Sequence, residues 1–472
     1  MNQILEYPDL WRDALVGTLV LFFGGGLIAL VLGFLIGAMR VSPIPAARVV
    51  GAVYVNWVRN TPLTLVLFFF AFAVPLLVTV PRGSFLMLAV IGIGLYTATY
   101  VAETLRSGIN TVPVGQAEAA RALGMGFTQV MGYVVLPQAA RSVIPPMMSV
   151  FIALLKNTTV AAGFGVVNLG SIRANMSEKG ENQMITILLV MVAFVVLVLP
   201  LAWLQRVLEN RSVLYDVPGP RAIARNRILG VVTVLVVLGI IGFVVWRFYD
   251  TGQFSARKWE VFSYTRVWTL IGQGALATLA AFGAAAVGAV ILGFVLAIGR
   301  LSDHAWVRVP VGWVVEILRA VPVLVFMLLL YYGLPIIGAG VESLPRGQKE
   351  AGYAIGLRKS GVMALILLPQ AIRAMMPVIV SQLVVTLKDT ALGFIITYPE
   401  LLYMAKLLGS NANYGSPLIQ AALVAGTIYV AMCLALSYVA HRLQLRNKRR
   451  TAAVTDPLHH PVGDATDTQL IG

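Results

Sequence analysis

The stretch GQAEAARALG, Gly115–Gly124, returns as GQKEAGYAIG at Gly347–Gly356. Both copies are polar, Ala-rich and helix-prone, and both interrupt a chain that is otherwise apolar. Of its 472 residues 59% are hydrophobic and 12% charged, with a mean hydropathy of +0.85, a balance that excludes a soluble globule. Apolar runs long enough to cross a bilayer, which takes about 20 residues per helix, lie near 14–38, 52–80, 85–106, 131–156, 185–206, 228–248, 270–299, 311–338, 362–387 and 417–440. They lack the alternation of barrel strands and so predict helices. The expected fold class is an all-α polytopic membrane protein.

The repetition continues outward from the polar stretches. ALVGTLVLFFGGGLIALVLGFLIGAMR (Ala14–Arg40) aligns with GALATLAAFGAAAVGAVILGFVLAIGR (Gly274–Arg300), and Arg59 to Pro62 falls at the same offset on Arg319 to Pro322. At a shorter offset Glu118 falls on Glu350, Gly124 on Gly356, LPQAAR (Leu136–Arg141) on LPQAIR (Leu368–Arg373), and LKNTT (Leu155–Thr159) on LKDTA (Leu387–Ala391). The chain is therefore two homologous halves in parallel orientation. The change of offset leaves Arg82–Ile109 without a counterpart, so the second half lacks one membrane helix. The run at 228–248 is also unmatched and returns the chain to the side where the second half begins. The expected division is a first repeat over 1–227, with a polar loop at 113–137, and a linking helix over 228–250. A second repeat over 251–450, with a loop at 345–369, and a disordered polar tail over 451–472 complete it.

The net charge is +15, and its placement argues for a membrane protein rather than a nucleic-acid partner. Basic residues gather at Arg40, Arg48 and Arg59, at Arg206 to Arg227, and at Arg442 to Arg450, ends that the positive-inside rule assigns to the cytoplasm. Glu6, Asp9 and Asp13 place the N-terminus outside, with the first run retained rather than cleaved. Cys433 stands alone and the 4 histidines show no ligand spacing, so no disulfide and no metal site is expected. No phosphate-cradling GxxxxGK[ST] stretch and no nucleophile beside a base occurs, so catalytic residues and cofactors are expected to be none in this chain.

Three crossings place Gly115–Gly124 in the cytoplasm as a short helix between two membrane helices. An even total of crossings, however, would strand Glu350 and the C-terminal arginines outside. The chain thus reads as an internally shortened form, or 311–341 bends back as a re-entrant element at Pro322 and Pro335. In either case the second half is incomplete and transport is expected to be impaired.

The pattern Glu118-Ala119-Ala120…Gly124…Pro137, with Glu350-Ala351-Gly352…Gly356…Pro369, resembles the signature loop of permease subunits of ATP-binding-cassette importers; the second copy departs at Gly352. RNTPL, YVAETLRSGI, PVGQAEAA, LPQAAR and LKNTT are similar to the polar amino-acid subfamily, close to glutamate-type permease pairs. The resemblance implies the type I importer transmembrane fold in the cell (inner) membrane. It implies that Glu118, Ala119, Ala120, Gly124, Glu350, Ala351 and Gly356 contact two cytoplasmic ATPase subunits that bind and hydrolyse ATP. An extracytoplasmic binding protein would deliver a polar amino acid, glutamate or aspartate in type. The alternative is a gradient-driven secondary transporter or channel, in which the polar loops are connectors.

Ionisable residues at membrane depth are costly and point to function. Lys156 and Lys388 hold matched positions in LLKNTT and TLKDTA. Lys156 with Asn157 and Thr158 offers an ammonium, an amide and a hydroxyl to a substrate carboxylate. Asp389 replaces Asn157 in the second half and would neutralise Lys388, which favours the first-half site for an acidic amino acid. The competing reading of both lysines is snorkelling to the outer interface. Arg59 and Arg319 read as structural groups at helix ends, Glu103 and Arg106 as an i,i+3 pair, and Phe68 to Phe70 and Tyr331-Tyr332 as packing, with no aromatic box.

Overall fold

The computed structural model describes residues 6–42, 44–81, 84–126, 129–210, 223–300, 302, 304–327 and 382–455. In chain order its principal helices are α1 (Pro8–Val41), α2 (Pro45–Asn60), α3 (Leu63–Phe68), α4 (Val74–Leu77), α5 (Phe85–Ile109), α6 (Val114–Ala122) and α7 (Leu136–Asn157). After these come α8 (Ile172–Glu178), α9 (Gln183–Asn210), α10 (Ile223–Asp250), α11 (Thr265–Arg300), α12 (Ala305–Ala320), α13 (Leu401–Gly409) and α14 (Leu418–Thr455). The last helix thus runs into the tail expected as unstructured; residues 456–472 lie outside the described residues.

Contacts divide the chain into two units. In Gly340–Thr386 with Ala431–Gly472, the described residues are helical, Thr386 closing onto the Gln382 carbonyl at 2.9 Å and Arg442 onto the Tyr438 hydroxyl at 2.8 Å. Everything below concerns the other, Met1–Ala339 with Leu387–Val430.

The run at 52–80, expected as one span, is broken by 98° between Asn60 and Leu63. Proline is the cause. Pro62 lacks an N–H and its ring excludes the helical region for the residue before it, and Thr61 is extended at φ −86°, ψ 136°. The same break recurs before Pro322, where Val321 sits at φ −76°, ψ 135°. Pro335 lies outside the described residues.

Helices α1 and α5 cross in the same direction. A Cβ added to Gly24, Gly25, Gly33 or Gly37 would stand 2.9 Å from Val90, 3.3 Å from Ile93, 2.4 Å from Val101 and 3.1 Å from Leu105, an ascending register on both helices. Small residues let the two backbones close together without relying on water exclusion. Two parallel neighbours require one return crossing between them, so broken α2–α4 is that crossing. Helix α7 then runs antiparallel to α5, with Met147 and Val143 packed against Val101 and Leu105.

The two repeats form the same hydrogen bonds. Thr18 Oγ1 donates to the Ala14 carbonyl at 2.9 Å and accepts from Leu169 N–H at 2.9 Å. Its counterpart Thr278 donates to the Gly274 carbonyl at 2.9 Å and accepts from Leu401 N–H at 3.2 Å. The bonds to Leu169 and Leu401 join segments from either side of the offset change and are matched between the repeats.

The two repeats differ at one glycine. Gly33 has no room for a Cβ, whereas at its counterpart Gly293 an added Cβ meets nothing within 4 Å among the described residues. Gly33→Val should therefore destabilise the chain by about 1–3 kcal/mol through overpacking, while Gly293→Val should leave it unchanged. Thermal melting of both variants in detergent checks this; equal losses would mean that α11 is covered as α1 is.

Candidate functional site

Helix α6 is cut to length by its ends. Pro113 precedes it as N-cap, and Gly124, at φ +84°, closes it in the left-handed region that glycine enters without strain. Gly124 N–H bonds the Arg121 carbonyl at 2.9 Å and Met125 N–H the Ala120 carbonyl at 3.2 Å, the pairing of a Schellman cap. Ala120 is buried against Val130 and Val135, fixing one face to the start of α7. The opposite face presents Glu118, Ala119 and Arg121, with Leu123 83% exposed. An acidic residue flanked by bare apolar surface on a short, anchored helix is suited to seat in a groove of another protein. Glu350, Ala351 and Gly356 lie outside the described residues.

The two lysines lie at mid-depth. Leu154 and Phe151 pack against Gly26, near the centre of α1, which puts Lys156 well inside the membrane; Lys388 reaches Tyr96 and Tyr100, near the centre of α5. Lys156 Nζ donates to the Arg319 carbonyl at 2.9 Å, and Lys388 Nζ donates to the Arg59 carbonyl at 3.0 Å. These are matched lysines on matched carbonyls, each crossing from one repeat to the other. The proline breaks explain the acceptors: Pro62 and Pro322 end α2 and α12, leaving carbonyls that a cation satisfies with help from the helix dipole.

The surroundings differ between the two lysines. Lys388 also donates to Tyr100 at 3.0 Å and approaches Tyr96 at 3.5 Å, and those hydroxyls pair with each other at 2.9 Å. The Arg59 guanidinium lies 5.8 Å from the centre of the Tyr100 ring. Asp389 is within electrostatic reach of both Lys388 and Lys156. Two ammonium groups, Lys156 and Lys388, thus share one carboxylate, while the Arg319 guanidinium lies 3.7 Å from Glu316. Asn157 is half-buried beside them. Thr158 is buried and its hydroxyl turns back to the Leu155 carbonyl at 2.7 Å, as Thr390 does to Leu387 at 2.6 Å, closing the helix end.

Other groups assemble from afar. Glu103 bonds Arg106 at 2.5 Å, the expected pair, but also bonds Arg40 of α1. In the second repeat, which lacks a counterpart of Glu103, Arg300 lies 3.9 Å from Glu316 of α12 instead. Phenylalanines also surround a cation: Lys406 Nζ lies 5.3 Å from the Phe72 ring and 5.0 Å from Phe394, which stacks on Phe164. Apart from Glu103–Arg106, sequence spacing signalled none of these, since the partners come from separate elements.

The family described as binding-protein-dependent transport system inner membrane component matches residues 22–213 and 332–450. A glutamate transport system permease protein, GluC of Corynebacterium efficiens, is 42% identical over 184 residues, covering 37% of this chain and 81% of the relative. Another glutamate transport system permease protein, GluD of Corynebacterium glutamicum, is 31% identical over 237 residues, covering 44% of this chain and 87% of the relative. A crystal structure of an amino acid ABC transporter with histidines shares 27% identity at a TM-score of 0.42, covering 44% of this chain and 97% of that one. The matches decide against the gradient-driven alternative: the chain belongs to the family of binding-protein-dependent transport system inner membrane components, multi-pass permease subunits whose ATP hydrolysis is done by separate ATPase subunits.

Proposed function

We propose that this chain supplies both membrane halves of an ATP-driven importer of amino acids, acidic or related polar ones, with glutamate and aspartate as the type. The observation that carries the reading is the pair of matched lysines, Lys156 on the Arg319 carbonyl and Lys388 on the Arg59 carbonyl, with the single carboxylate of Asp389 within electrostatic reach of both. Its excess positive charge favours an anionic substrate, and the two glutamate permease relatives support the same chemistry. Two cytoplasmic ATPase subunits dock on the α6 loop and its second copy and bind the nucleotide, and an extracytoplasmic binding protein delivers the substrate. The N-terminus lies outside and both coupling loops face the cytoplasm.

The geometry supplies a mechanism. Lys156 spends its ammonium on the Arg319 carbonyl, so a substrate carboxylate gains Lys156 only as that inter-repeat bond opens. Substrate binding and parting of the halves then favour each other, as linkage requires. Asn157 lies beside Lys156 to receive the rest of the polar group. Lys156→Ala should weaken the half-saturation concentration for glutamate uptake by about 1.5–3 kcal/mol, the worth of a hydrogen bond to a charged group. Unchanged concentration dependence in that variant would reduce Lys156 to an inter-repeat tie.

A further inference from the structure

We propose that Lys406 is an outer receptor for the substrate carboxylate, seated on an aromatic plug that closes the way to Lys156 and Lys388. The proposal rests on the importer reading and its orientation.

Four phenylalanine rings form a closed circuit across the two repeats. Phe68 meets Phe72 at 5.1 Å between ring centres, and Phe72 meets Phe164 at 6.1 Å. Phe164 stacks on Phe394 at 5.8 Å, and Phe394 returns to Phe68 at 6.0 Å. Phe68, Phe72 and Phe164 belong to the first repeat and Phe394 to the second. Beside them a Cβ added to Gly163 would stand 2.7 Å from Ile395, so the seam is tight as well as apolar. Such a barrier opposes a charged amino acid.

The plug lies outward of the two lysines. Phe68 and Phe72 follow the Pro62 break, whose Arg59 carbonyl holds Lys388, on the way to the outer end of α4. Phe164 and Phe394 lie on the 3₁₀ turns, Thr158–Phe164 and Thr390–Ile396, that continue outward from Lys156 and Lys388. Lys406 stands beyond them on α13. That helix packs by Leu401 and Met404 on Gly274, toward the outer end of α11, and by Gly409 on Leu418, the first residue of α14.

Lys406 touches rings of both repeats, with Nζ 5.3 Å from the centre of Phe72 and 5.0 Å from that of Phe394. The matched position in the first repeat is Ala174, so this cation belongs to the second repeat alone. Ring faces stabilise its charge without taking its N–H donors, and Lys406 is exposed. A carboxylate offers a charge-assisted hydrogen bond, which outweighs a ring contact at an exposed site. Binding then draws Lys406 off Phe72 and Phe394, and the bridge across the seam opens as substrate arrives.

Saturation-transfer NMR of the full chain in nanodiscs tests this, with glutamate and propylamine as probes and Lys156→Ala in place to disable the inner site. Glutamate, but not propylamine, should still bind. Adding Lys406→Gln should weaken glutamate binding about tenfold, whereas Lys406→Arg should keep it, which separates charge from misfolding. Glutamate binding that is absent once Lys156 is replaced, unchanged by Lys406→Gln, or matched by propylamine would overturn the proposal. The readout needs no ATPase, so the two readings can fail separately. ATP-driven glutamate uptake without binding at Lys406 would overturn only the outer receptor, and binding at Lys406 without ATP-driven uptake only the importer reading.

Discussion

Replacing Glu118 and Glu350 together by lysine should reduce ATP-driven uptake to background while leaving the chain inserted in the membrane. Glu118 is exposed on α6 and touches none of the residues that anchor that helix, so the change leaves Ala120 and its Schellman cap intact. Its effect falls on the partner: a carboxylate turned into a cation at a buried interface costs about 2–5 kcal/mol, enough to lose the ATPases in a pull-down. Retained pull-down with normal uptake in the double variant would remove the coupling role from both residues. A milder version acts through the backbone. Gly124→Val forces a β-branched residue to φ +84° and should weaken coupling without touching any charge.

The second large effect concerns Lys388. Its ammonium is buried and holds the Arg59 carbonyl and Tyr100, with Asp389 nearby. Lys388→Met strands those acceptors and leaves Asp389 without that counter-charge, a loss of about 3–5 kcal/mol for breaking a buried pair from one side. Adding Asp389→Asn removes the orphaned charge and should recover a large part of the thermal stability in detergent. Independent, additive losses in the two single variants would mean that the residues do not act as a pair.

Much of this architecture is legible in the sequence because repetition is a property of the chain itself. The two halves, the unmatched Arg82–Ile109 and the ends of α6 at Pro113 and Gly124 follow from alignment and from local backbone chemistry. The Glu103–Arg106 pair follows from helical spacing. The 98° break at Pro62 is hidden because hydropathy continues across it; only the restriction that proline places on Thr61 reveals it. The depth of Lys156 is hidden because α7 stops opposite the middle of α1 instead of reaching the far surface. The bonds from Lys156 and Lys388 join residues 163 and 329 apart to main-chain carbonyls, which carry no side-chain signature. Tyr96 and Tyr100 look like packing residues in an apolar run until the fold brings Lys388 onto them.

The most direct test is uptake of labelled glutamate into vesicles holding the purified chain. It is run with and without ATPase subunits, ATP and binding protein. Uptake should require all three additions and survive collapse of sodium and proton gradients. Uptake that follows an ion gradient and persists without the ATPases would contradict the account.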